Sequence, residues 1–316
     1  MKRFMTLVAA TMLIAGCANP PTIAPDCTIR GASVDLHGCD LHGLNLTGVD
    51  LSGADLSFTN LTGVILSGAT ISGASLLNAN LTGGILSGAN ALSADLTGVI
   101  LTGANLTGAN LTGANMNNTN LLNANLTNAN LTSVNLVRAS SGGIVGTPTV
   151  LPIGFTIRNG YLLGAGVSLR GASLVGLILT NVDLRGADMI QTDLTGSNFT
   201  GANLAGANIS TALMANVNLS GATLNGAVLT GVLANSANFT GANLASADLF
   251  GANLTLANFT GATLTGAKLA AATLTNANLT NANLFAVNLT GAILTGAVWS
   301  STTCPNGSVQ STECSP

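Results

Sequence analysis

Charge is scarce in this chain: only 6% of its 316 residues are Asp, Glu, Lys or Arg, and only 3% are aromatic. An ordinary globular domain carries about a quarter charged residues, so a conventional charged surface over a mixed core is excluded. Long apolar runs are absent too. Past the N-terminus, Asn, Thr and Ser break every apolar group, and no stretch reaches the roughly 18 to 20 residues of a membrane-spanning helix. Eight basic residues stand against eleven acidic ones with no basic stripe, which argues against direct binding of nucleic acid. The two histidines, His37 and His42, lie five residues apart and have Ser57 and Thr62 twenty residues further on, so they supply neither a metal set nor a catalytic dyad. No nucleophile elbow, phosphate loop, zinc spacing or dinucleotide fingerprint appears, and neither an enzymatic activity nor a cofactor is expected.

What the chain has is one phrase, repeated. Residues 101–115 read LTGANLTGANLTGAN. An apolar residue, in most units Leu, falls at every fifth position from 36 to 136 and again from 169 to 299. Two places before each such centre stands a small residue, as at Ala54, Ala104 and Ala242, with Asn or Asp between them and Thr-Gly or a near equivalent after. In an extended segment residues two apart point the same way, so the small residue and the centre face inward and the polar residue faces out. The last two positions must turn the chain, and Gly there suits a type II turn with positive φ, with Asn78, Asn123 and Asn128 as substitutes. Each unit is one short side and one corner, and stacked coils of such units make an all-β solenoid.

The aromatic centres set the number of sides. Phe199, Phe239, Phe259 and Trp299 are separated by multiples of twenty residues, which stacks them in one interior column if four units make a coil. Ile71 and Ala91, and Met189 and Ile209, repeat the spacing. At ~4.8 Å per coil the two arrays should be roughly 25 and 32 Å long. Leu44 and Leu177 are oversized for the small position, and Ala91 underfills a centre.

On this A-(D/N)-L-x-x phrase, which covers most of the chain, the sequence resembles the pentapeptide-repeat proteins. The resemblance implies a right-handed quadrilateral β-helix. It implies little about function, and some family members mimic DNA and bind topoisomerases.

The N-terminus reads as an address. Lys2 and Arg3 precede an apolar stretch, residues 4–15, that is too short to span a membrane and whose end runs on as Ile14, Ala15, Gly16 and Cys17. This resembles the lipobox of bacterial lipoproteins, with Ile in place of the commoner Leu. It implies cleavage before Cys17 and lipid on that residue, which would hold the chain to a membrane by its acyl chains. Ala18 is compatible with sorting to the outer membrane in a Gram-negative source; otherwise the outer face of the cytoplasmic membrane is expected.

The expected organisation begins with a signal peptide (1–16), a tether and N-terminal cap (17–34) and a first repeat segment (35–138). It continues with a phase-breaking loop and hairpin (139–166), a second segment (167–299) and a C-terminal tail (300–316). Within the loop, Phe155 and Tyr161 are expected to cover an open end of the helix, with Asn159 and Gly160 as a tight turn. Export permits disulfides. Cys304 and Cys314 should close the tail, whereas Cys39 is either bonded to Cys27 or simply packed in its small inward position. Nine Asp residues occupy outward positions; Asp35 and Asp55 lie one coil apart, but no third carboxylate completes a calcium cage.

The leading functional expectation is a non-enzymatic, lipid-anchored envelope rod that spaces, scaffolds or binds a protein or envelope surface. The alternatives are a topoisomerase-binding DNA mimic and a solenoid that recognises glycan, cell wall or ice through its polar ladders.

Overall fold

The computed structural model describes residues 25–314. The proposed signal peptide and Cys17 lie outside the described residues. The repeat folds as a four-sided β-helix in which outward residues twenty apart pair as parallel one-residue bridges, such as Asn105 with Asn125. Each side is too short to form a longer strand before the next corner.

Following the N–H groups of one unit shows why the phrase has its form. Asn105 donates to the carbonyl of Gly84 in the coil below at 2.8 Å, and Leu106 donates to that of Asn125 in the coil above at 2.9 Å. Gly108 also donates upward, to Thr127, at 2.8 Å, and Ala109 closes the corner onto Leu106 at 3.0 Å. The remaining N–H, of Thr107, donates to the Oδ1 of Asn105 at 3.1 Å. All five donors are therefore satisfied, the last only because an Asn or Asp side chain reaches the amide two residues on. Outward exposure explains a polar residue at that position; this bond explains why it is Asn or Asp.

The corners hold positive φ, as expected for Gly, and Asn78, Asn123 and Asn128 adopt φ of 54 to 56°. The tolerance is wider than the sequence suggested, since Arg138, Gln191, Leu256 and Ala271 occupy the same region. Cost at these corners thus depends on local space. An added Cβ at Gly103 meets nothing within 4 Å, whereas at Gly160 it would lie 2.9 Å from the backbone N of Gly143. Gly103→Ala should destabilise by about 1 kcal/mol from φ alone. Gly160→Ala should cost roughly 2 to 3 kcal/mol because backbone must move. Urea denaturation of the two variants checks the order.

Inside, the centres and small residues form one continuous apolar core. Phe199, Phe239 and Phe259 are fully buried and Trp299 nearly so. Phe239 and Phe259 stack with ring centroids 4.8 Å apart and planes 1° from parallel, a separation that matches the coil repeat. Where Thr replaces Ala at an inward position the hydroxyl bonds back to the wall, as Thr119 does to the carbonyl of Leu96 at 3.0 Å. Leu44 does not enter the core: it is 37% exposed, and its N–H reaches Leu41 at a long 3.4 Å. Leu177 is only partly buried.

The region between the arrays differs from expectation. Bridges continue beyond residue 138 through Ser140, Val145 and Val150, so regular coiling runs further than the phase of the centres indicates. Ser140 then pairs with Ser168, 28 residues on, in place of the usual twenty. One of the four ladders consequently runs unbroken from Asp40 through Ser140 and Ser168 to Asn288. On this face the solenoid has no free end; the other three ladders break here, and Phe155 and Tyr161 pack against the core at that break.

The extra residues form an antiparallel hairpin, β1 (Thr156–Arg158) and β2 (Tyr161–Leu163). Leu162 and Leu163 are buried, and Phe155, Ile157 and Tyr161 pack against the core. The Tyr161 hydroxyl accepts the N–H of Ser173 at 3.3 Å, a donor whose ladder partner the insertion removes.

At the N-terminal end Cys27 is bonded to Cys39, which is 2% exposed, with Cα atoms 5.6 Å apart. The segment before the first coil therefore folds back across it. At the C-terminal end β3 (Thr302–Thr303) pairs with β4 (Val309–Gln310), and Cys304 is bonded to Cys314 over 5.5 Å between Cα atoms.

Candidate interaction surface

The four sides differ in what they show to solvent. The unbroken ladder, here the first face, runs Asp40, Asn60, Asn80, Ile100, Asn120, Ser140, Ser168, Asp188, Asn208, Val228, Asp248, Lys268 and Asn288. The third face, two sides on, is the most uniform. In its upper half Asn198, Asn218, Asn238, Asn258 and Asn278 stack directly.

These polar side chains are largely committed to the frame. Asn238 Nδ2 donates to Asn218 Oδ1 at 3.1 Å, Asn278 Nδ2 to Thr260 Oγ1 at 3.0 Å, and Thr260 Oγ1 to Asn258 Oδ1 at 2.6 Å. The Asn–Thr columns brace corners and register, which leaves fewer free donors and acceptors for a glycan or ordered water than the sequence pattern suggests.

The acidic residues share this role. Asp50 Oδ1 accepts the N–H and hydroxyl of Ser52 at 2.9 and 2.6 Å, and the Ser52 hydroxyl bond leads in holding its pKa below the usual carboxylate value. The hydroxyl of Ser57 does the same for Asp55. A depressed folded pKa gives stability that is present above the unfolded value and lost as pH falls through the folded one. The urea midpoint should therefore stay flat from neutrality to about pH 4 and decline below it. Asp50→Asn keeps the Oδ1 acceptor and should shrink the acid decline while leaving neutral stability unchanged; a decline that begins near pH 6 would contradict a role for these bonded carboxylates.

The histidines are solvated. His42 Nδ1 lies 2.8 Å from Asp40 Oδ1, and the His37 ring meets Phe58 edge-on at 5.4 Å. Asp35 and Asp55 do bridge as neighbours. Among the described residues no group of three His, Cys, Asp or Glu could hold a metal ion, and no helix is long and apolar enough to cross a membrane.

Irregularity is concentrated at the insertion. A cavity of about 520 Å³ on the first face is lined by Arg138, Ser140, Ser168, Arg170 and Asp188, with Arg170 and Asp188 paired at 2.9 Å. Another, of about 570 Å³, lies between the hairpin and residues 178–183. Arg138, Arg158, Arg170 and Arg185 all fall here, leaving Arg30 and Lys268 as the other basic residues of 25–314. The sequence carried a signal for this grouping in four arginines confined to residues 138–185 around the phase break. Repeat periodicity hid it.

A family model for pentapeptide repeats matches residues 32–68, 65–103, 104–140, 165–201, 192–231, 237–270 and 264–298. The fold and these matches define a β-solenoid of known class: the chain belongs to the pentapeptide-repeat family, with its right-handed quadrilateral β-helix. It is similar to HetL, a pentapeptide-repeat protein involved in heterocyst differentiation regulation from the cyanobacterium Nostoc sp. strain PCC 7120. The identity is 29% over 88% of this chain and 92% of that one, with a TM-score of 0.22. Rfr23 from the cyanobacterium Cyanothece 51142 is 33% identical over 36% of this chain and 87% of its own, with a TM-score of 0.19. QnrB1, a plasmid-mediated fluoroquinolone resistance protein, is 15% identical over 82% and 92%, with a TM-score of 0.18. No curated protein matches the chain.

Proposed function

We propose that the protein is a non-enzymatic rod, exported and held to the cell envelope by lipid on Cys17, that positions or binds a partner protein along its side. The observation that carries the rod is the unbroken ladder from Asp40 to Asn288, a rigid axis of roughly 60 Å at ~4.8 Å per coil. The anchor rests on Lys2 and Arg3, the short apolar stretch and the small residues before Cys17. Self-bonded polar faces support a scaffold, because side chains that brace corners do not have to move when a partner docks.

Metabolic labelling with a fatty-acid analogue tests the anchor. The wild-type protein should label and Cys17→Ala should not; equal labelling of the two would remove the lipoprotein reading.

A further inference from the structure

Three of the four ladders stop at the insertion and restart above it: the second between Val145 and Ser173, the third between Val150 and Ile178, the fourth between Asn135 and Asp183. The restarting sides therefore point hydrogen-bonding groups downward with no coil beneath them. Tyr161 takes the N–H of Ser173. Among the described residues the N–H of Ile178 meets no acceptor, and the carbonyls of Ile178 and Thr180 meet no backbone donor. Ile178 is 73% exposed. Elsewhere the coil below satisfies the equivalent three groups: Val167 accepts from Asp188, Leu169 donates to Asp188, and Gly171 donates to Ile190.

The groove under Ile178 has room for what is missing. Its cavity of about 570 Å³ is bounded by β1 on one side and by the third face on the other, with Leu163 among its lining. β1 is paired with β2 alone, so the groove also carries an unpaired strand edge on its hairpin side. Its charge is complementary to an acid. Arg158 lines the groove and has no carboxylate partner among the described residues, whereas Asp183 is held by Arg185 at 2.8 Å.

We propose that this groove accepts an extended, acidic and apolar segment of a partner protein, which adds the missing parallel rung beneath Ile178. The segment supplies a carbonyl to Ile178 N–H and amides two and four residues later to the Ile178 and Thr180 carbonyls, so neither of those later positions is proline. A carboxylate meets Arg158, and an apolar side chain covers Ile178 and Leu163. The proposal rests on the partner-binding part of the rod reading and is independent of the lipid anchor.

A fluorescein-labelled nonapeptide of alternating Asp and Val tests it against the full-length protein in detergent. Saturable binding is expected below about 1 mM. Arg158→Glu should weaken it at least ~10-fold, and an alternating Lys and Val peptide should bind at least that much more weakly. Methylating the peptide amides that face Ile178 and Thr180 should abolish binding, and the peptide should slow hydrogen exchange at the Ile178 amide. Absence of binding, or binding indifferent to Arg158→Glu and to amide methylation, would overturn the proposal. Peptide binding by a Cys17→Ala protein, in cells where the wild type takes no label, would remove the anchor and leave the groove standing. A labelled wild type that ignores the peptide would do the reverse.

Discussion

Deleting one residue, Thr112, is expected to destabilise the protein more than deleting twenty, residues 101–120. The reason is the period. Removing 101–120 joins Ile100 to Leu121, and every later residue keeps its face, its inward or outward sense and its place in a ladder. Asn125 then stands over Ile85, where Asn105 stood. The loss is one coil with its stacking contacts, in a molecule whose stability is close to a sum over neighbouring coils. Removing Thr112 takes the first corner position from the unit whose corner is Gly113, and shifts the residues beyond it by one place until the chain loops out a compensating stretch. In that stretch Asn is driven inward and Leu outward, and donors once bonded between coils are stranded. A cost on the order of 4 kcal/mol or more is expected, against a smaller one for the twenty-residue deletion. Urea unfolding monitored by circular dichroism gives the order directly, and a single-residue deletion that unfolds like the parent would refute the inward–outward assignment.

Phe259→Ala is expected to cost about 3 to 5 kcal/mol. The ring is fully buried and stacked on Phe239 at 4.8 Å, and hydrogen bonds to the coils above and below hold the walls around it, so they cannot close over the void. Phe259→Leu should lose only about 1 kcal/mol, because Leu219 and Leu279 already serve as centres on the same face. The weakness should remain local. Hydrogen exchange should speed up in the coils adjoining residue 259 and stay unchanged near residue 60, since each coil feels only its neighbours. Uniform acceleration along the chain would argue against a one-dimensional solenoid.

The regular part of the molecule was legible because its information is local. Alternation around each Leu set inside and outside, Gly marked corners, and the spacing of Phe199, Phe239, Phe259 and Trp299 gave four sides to a coil. Where the reading departed from the structure, the cause was three-dimensional. Leu44 and Leu177 read as overpacked core residues, yet Leu44 stays outside the core and Leu177 packs only partly buried against it. The phase break after the centre at 136 read as the end of a segment, yet Ser140 and Val145 go on pairing with Ser141 and Gly146 in the centre positions, and Val150 pairs ahead of Leu151, which packs against the core. Backbone bonds to the coil below sustain them, and no side-chain pattern records those bonds.

By itself the sequence determined a four-cornered coil and the residue types inside and outside it, since each depends on contacts within five residues or between identical phrases twenty apart. Only the tertiary structure decided that the coil continues past the insertion on one face and stops on three. Whether a strand finds its rung depends on where the chain returns between Ser140 and Ser168, which composition and period do not encode. The same return path leaves Ile178 with an open edge beside Arg158, and there the molecule ceases to repeat.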